Sequence, residues 1–272
     1  MARRRIDAES IPFRKLIPNL MTAGALCAGI ASFHFSITGQ FDKAMGCIAA
    51  SFVLDGLDGR AARFLRVTSR FGEVIDSISD FTAFGVAPAF LLYQWQLQKD
   101  AGVLGLLAVA LYALCAAIRL ARFTVQARKQ KLGGPPGKFF QGLPAPAAAG
   151  AALVPPMLAL SETVAWKTPA YLTAIYTLML AAFMVSRLPM ISVKGMRISR
   201  KLVVPLMLFA GVLTIGLVRD GWLTLSALAT LYLLSFPAGW VLHARSKNKP
   251  APPADGGPDA TGTAGQPPAV KP

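Results

Sequence analysis

An all-α polytopic membrane protein, with about eight transmembrane helices around a polar site facing the cytoplasm, is the fold class this sequence predicts. Three observations point there: 54% of the 272 residues are hydrophobic, the apolar residues gather in stretches of spanning length, and the bases fall between those stretches. Soluble domains are about one-quarter charged, whereas only 15% of this chain is Asp, Glu, Lys or Arg.

A helix of ~20 apolar residues crosses a ~30 Å hydrocarbon core. Eight stretches qualify, at approximately 17–37, 42–63, 74–95, 101–121, 142–161, 168–187, 201–218 and 221–243. The opening ARRR followed by an apolar run has the outline of a secretory signal, but no small-residue cleavage site leads into a soluble domain, so the run reads as the first span. The fifth stretch holds Pro144, Pro146, Pro155 and Pro156, which membrane helices tolerate where neighbours satisfy the freed carbonyls. Before the first span, Ile11, Phe13, Leu16 and Ile17 lie among charges, a pattern that suits an interfacial segment over residues 1–16 on an anionic leaflet, with an ordinary solvated arm as the alternative. The membrane domain is expected over 17–244. The Pro- and Gly-rich tail over 245–272 has little to bury and is expected to be disordered.

Of the 28 bases, all but Lys43, Lys99, Lys167 and Arg219 lie at the N-terminus, around Arg63–Arg70, over Arg119–Lys138, over Arg187–Lys201, or at the C-terminus. That bias predicts both termini and every basic loop on the cytoplasmic side of the inner membrane. The bases are not interleaved with an aromatic stacking platform, so the bilayer, and no nucleic acid, is the expected partner of the positive charge. Cys27, Cys47 and Cys115 fall inside apolar stretches without C-x-x-C pairing and read as buried small hydrophobes.

Asp55, Asp58, Asp76 and Asp80 sit within two otherwise apolar spans, at the ends that the charge bias makes cytoplasmic. Carboxylates are costly at membrane depth. Residues three or four apart share a helix face, so Asp55 with Asp58, and Asp76 with Asp80, can converge from two helices joined by the turn 64–72. A set of hard oxygen donors without His or Cys suits Mg²⁺ or Mn²⁺, with two ions expected, and such ions share their coordination with substrate phosphates. Gly56, Gly59 and Gly72 leave room for close approach, and Arg63 offers the fork that grips phosphate oxygens. Carboxylates, metal and guanidinium together describe a diphosphate site. The competing structural reading is an Asp–Arg network pinning two helices, against which it weighs that four acids exceed what Arg63 can neutralise.

The string Asp55-x2-Asp58-Gly59-x2-Ala62-Arg63-x8-Gly72-x3-Asp76-x3-Asp80 resembles in full the signature of the CDP-alcohol phosphotransferases. The resemblance implies a membrane-embedded transferase that takes a CDP-linked lipid and an alcohol and displaces CMP. It implies that Asp55, Asp58 and Asp76 hold the metals and that Asp80 completes the site as the base that takes the alcohol proton. It also implies that Gly59, Arg63 and Ser69, with Ala62 kept small beside the cytosine and Gly72 nearby, receive the CDP moiety, and that the protein forms a homodimer.

A second set of segments is similar to the bacterial phosphatidylserine synthases: Ile17–Leu20, Thr68–Gly72, Phe84–Tyr93, Arg119–Phe123 and Phe140–Gly150. This similarity implies CDP-diacylglycerol and L-serine as substrates. Asn19 either meets the nucleotide or caps the first helix. Arg119 and Arg122 are candidates for the serine carboxylate or a lipid phosphate, with an interfacial anchor as the plainer role of Arg122. Lys138 and Gln141 are polar candidates for the acceptor pocket. Two rivals remain open: the same chemistry on glycerol 3-phosphate, inositol phosphate or choline, and a divalent-cation transporter, against which the absence of an internal repeat weighs.

Overall fold

The computed structural model describes residues 13–65, 70–131, 142–186 and 203–247, and among them all regular structure is helical. Helix α1 (Phe13–Ile37) and α2 (Phe41–Leu65) form a hairpin closed by a short turn in which Thr38 N–H donates to His34 O and Gln40 N–H to Phe35 O. α3 (Arg70–Asp80) runs without a break through a π-helical turn, π1 (Phe81–Val86), then α4 (Ala87–Leu92), a second π turn, π2 (Tyr93–Leu97), and α5 (Gln98–Asp100). There follow α6 (Gly102–Lys131), α7 (Ala145–Ala152), α8 (Val154–Leu160), α9 (Ala170–Val185), α10 (Val203–Arg219) and α11 (Gly221–Lys247).

By length and composition, three helical runs among the described residues can cross a membrane, Leu16–Ile37, Phe71–Asp100 and Gly102–Gln126, and shorter apolar helices occupy Ala145–Leu160, Ala170–Val185, Val204–Arg219 and Gly221–Ser235. The chain is a multi-pass membrane protein. Each of the eight expected spans is met by helix, and the bounds differ where charge was read as an end. α6 continues ten residues past the expected Ala121, because a helix leaving the apolar layer goes on as long as its backbone bonds are made, whatever its side chains face. α1 begins at Phe13, within the expected segment 1–16, and its membrane-length run begins at Leu16.

Small residues set how closely the helices pack, as they do where apolar side chains alone give little drive for association in lipid. At Gly29 a β-carbon would stand 3.2 Å from the Ala83 Cα, so α1 crosses π1 almost backbone to backbone. Ala145, Ala148, Ala149, Ala151 and Ala152 are all buried on α7. The main apolar core joins α4, π2, α6, α7 and α9 around Leu92, Leu97, Tyr112, Leu143 and Leu180. A second core joins the start of α2 to α4 and α8 through Met45, Ile48, Leu91 and Met157. Both leave the second half of α2 and the whole of α3 free for polar residues.

Two tyrosines repair the backbone where proline interrupts it. Pro155 has no N–H to give Ala151 O, four residues back, and the Tyr176 hydroxyl of α9 donates to that carbonyl at 2.8 Å. Pro88 likewise cannot donate to Phe84 O, and the buried Tyr112 hydroxyl of α6 does so at 3.2 Å. The expected fifth span is thus two short helices meeting at Leu153.

Candidate active site and metal centre

α2 and α3 carry the four aspartates on facing surfaces, as the i, i+3 and i, i+4 spacings require. Ligand atoms of Asp55, Asp76 and Asp80 lie within 4.8 Å of one another, and the Asp55 and Asp80 carboxyls are in hydrogen-bonding contact. Two carboxylate charges at such a separation repel by about 3 kcal/mol at an effective dielectric constant of about 20. A cluster of this kind holds together only with a shared proton or a cation, and its all-oxygen donor set fits a hard divalent ion.

Asp58 stands beside this trio rather than in it. Its side chain is 5% exposed, its Oδ2 accepts a hydrogen bond from Thr22 Oγ1 of α1 at 2.6 Å, and the Gly59 backbone N–H also donates to it. Its charge is nonetheless near enough to act on Asp76 and Asp80. π1 begins immediately after Asp80, and π turns recur at functional sites because the extra residue re-aims the side chains that follow.

Gly56 and Gly59 are exposed, and a β-carbon at either would meet nothing within 4 Å. Open space therefore lies along this stretch of α2, next to the exposed Arg63 and the half-buried Ala62. Gly72 is half-buried in the first turn of α3. Asn19 is six residues inside α1, so helix capping, one of its two expected roles, is excluded. Ser69, Lys138 and Gln141 lie outside the described residues.

The two candidate arginines of α6 part company. Arg119 is half-buried, its charge acts on Asp80 and on the Tyr232 hydroxyl of α11, and its Nε is enclosed with no hydrogen-bond partner among the described residues. Arg122 is exposed and donates from Nη1 to Val185 O at 3.1 Å, the last carbonyl of α9. That places it as a cation on a helix C-terminus. The same helix end receives the chain after the Lys138–Gln141 segment: Leu143 N–H donates to Phe183 O, and Gly142, at φ +81°, lies where a β-carbon would be 2.5 Å from Met184 O.

Thr22 and Tyr232 were not singled out in the sequence. A polar residue three places after Asn19 in an apolar span was the available sign for Thr22. Tyr232, in an apolar helix over 150 residues further on, left none.

The family model described as CDP-alcohol phosphatidyltransferase matches residues 15–240. A Mycobacterium leprae protein named CDP-diacylglycerol--serine O-phosphatidyltransferase is 39% identical over 176 residues, which is 65% of this chain and 58% of that protein. Proteins of the same name from Helicobacter pylori (strain J99) and Methanocaldococcus jannaschii are 41% identical over 134 residues and 42% over 102. These cover 49% and 38% of this chain, and 54% and 44% of the relatives. The matched part thus spans about half the length of these curated relatives. A match from residue 15 to residue 240, across the aspartates and the helices that bring them together, shows that this chain belongs to the CDP-alcohol phosphatidyltransferase family.

Proposed function

We propose that this chain transfers the phosphatidyl group of CDP-diacylglycerol to the hydroxyl of L-serine, releasing CMP and forming phosphatidylserine. The observation that carries the reading is the convergence of Asp55, Asp76 and Asp80 on one point, with open helix surface and Arg63 beside it. The name shared by the relatives supports serine as the acceptor.

Asp55, Asp58, Asp76 and Asp80 would hold the Mg²⁺ or Mn²⁺, two ions fitting the number of oxygens. When bound, such ions neutralise the diphosphate and stabilise the departing CMP. Gly59 and Gly72 admit the diphosphate close to the backbone, Arg63 and Ser69 hold its oxygens, Ala62 leaves room for the cytosine, and Asn19 offers an amide to the nucleotide. Asp80 takes the serine hydroxyl proton as the new P–O bond forms and the P–O bond to CMP breaks, with attack in line. Arg119, whose Nε has no partner among the described residues and whose charge acts on Asp80, pairs with the serine carboxylate and so brings the hydroxyl to Asp80. Lys138 and Gln141 border that acceptor pocket. Arg122, engaged on α9, has a structural role.

The excess of bases in the loops on this side supports a centre at the cytoplasmic face of the inner membrane, where CDP-lipid headgroups, serine and Mg²⁺ would be supplied. A homodimer is the proposed assembly. CMP release from CDP-diacylglycerol by the purified protein, measured with serine, glycerol 3-phosphate, inositol phosphate and choline in turn, tests the reading. Serine-dependent release is expected; release with another alcohol and none with serine overturns the acceptor.

A further inference from the structure

We propose that Thr22 is a positioning residue of the metal centre, setting the Asp58 carboxylate and holding both acid-bearing helices in register. The proposal rests on the reading of the aspartates as the metal-holding set.

Thr22 is 5% exposed in the middle of an apolar helix. Its single hydroxyl proton has two acceptors in reach, Asp58 Oδ2 at 2.6 Å and Pro18 O at 3.0 Å. The shorter contact has the length of a charge-assisted O–H···O⁻ bond and takes the proton. One carboxylate oxygen of Asp58 is thereby occupied from the α1 side. Thr22 also acts through its backbone: its carbonyl accepts from the buried Ser79 Oγ at 3.3 Å, and Ser79 is the residue before Asp80. A single turn of α1 thus touches α2 at Asp58 and α3 next to Asp80. A third tie one turn further on, Ser51 Oγ to Ala25 O at 2.8 Å, keeps α1 and α2 from sliding. Among the four acids, Asp58 is the one outside the tight trio, so its orientation depends most on an outside partner. Groups that orient ligands in this way are worth about 10- to 100-fold in metal affinity or activity.

The experiment compares the full-length protein in detergent with Thr22→Val, Thr22→Ala and Thr22→Ser, measuring Mn²⁺ binding by calorimetry, the melting temperature, and kcat and KM for CMP release. Val keeps the shape without the hydroxyl, Ala favours the helix, and Ser restores the donor. The expected result is Mn²⁺ binding and kcat lowered about 10- to 100-fold in Val and Ala, an unchanged KM for serine, and recovery in Ser. Because the effect runs through Asp58, Thr22→Val should add little further loss to Asp58→Asn. Mn²⁺ affinity in a folded Val or Ala variant equal to that of the unaltered protein overturns the proposal while leaving the metal centre standing, as does full additivity with Asp58→Asn. No Mn²⁺ binding by the unaltered protein overturns the metal centre itself, and the proposal with it.

Discussion

Acidic side chains serve opposite purposes in two regions of this molecule. Between α2 and α3, Asp55, Asp76 and Asp80 face one another within 4.8 Å. Between α10 and α11, Asp220 is surrounded by donors: Ser161 Oγ at 2.6 Å and Thr163 N–H at 3.2 Å reach its Oδ2, and Leu223 N–H reaches its Oδ1 at 3.0 Å. Asp220 is the N-cap of α11, with the third helical N–H on its carboxylate, and it also ties the end of α8 to that cap. Among the described residues the first group has only the nearby charge of Arg119 to offset it, whereas the second is met by a full set of donors. A buried acid with its donors in place stabilises the fold, whereas acids that share space without donors mark a site that must be completed by a ligand.

The sharpest break of this comparison is Asp80→Asn. Transfer should fall by about 10²- to 10⁴-fold, the usual worth of a general base, with CDP-lipid binding retained. In chelator the melting temperature should not fall, since without a cation the cluster holds a shared proton and an Asn amide keeps a donor toward Asp55. A fall in melting temperature would place Asp80 with Asp220 as a structural acid. Next in size is the contrast on α6. Arg119→Ala should raise the KM for serine by about 10- to 100-fold, the worth of a hydrogen bond to a charged group. Arg122→Ala should leave that KM alone and cost about 0.3–1 kcal/mol of stability, as expected for a cation at a helix end. Equal effects on KM would remove the distinction.

Tyr176→Phe leaves Ala151 O with only the Leu153 N–H as donor and should cost about 0.5–1.5 kcal/mol, read from detergent melting. Asp220→Asn should lower the melting temperature at neutral pH without changing kcat. Its pH dependence carries a sign: hydrogen bonds from Ser161 first, then Leu223 and Thr163, hold the Asp220 carboxyl at about 2, below its ordinary 3.8. A depressed folded-state pKa gives stability that is fully present above the unfolded value and lost as pH falls through the folded one. The melting curves of the two proteins should therefore converge between about pH 4 and pH 2. Convergence at neutral pH instead would mean that Asp220 is not ionised in its cap.

Much of the centre was legible before any fold was known. Asp55 and Asp58, and Asp76 and Asp80, share helix faces through the fixed angular step of the helix, and the paired spans made their meeting a necessity of the hairpin. An interfacial anchor was already the plainer role of Arg122 in the sequence, but the direction of neither arginine was given there. Both end an apolar span, and the direction each takes toward Asp80 or toward α9 distinguishes them. Nor could the sequence tell which aspartate stands apart, since spacing along a helix says nothing of the depth at which a neighbour packs.

Sequence by itself therefore determined the membrane class, the succession of apolar helices, the acid-bearing pair and the oxygen chemistry of its site, because hydrophobic length and helical periodicity are local properties of the chain. Tertiary structure decided that three acids converge while Asp58 turns to Thr22, that Tyr112 and Tyr176 repair carbonyls left by Pro88 and Pro155, and that Asp220 closes a cap instead of opening a site. Each of these rests on contacts between residues 21 or more apart in the chain. Such contacts are set by how closely the small residues let two helices approach, and at what angle.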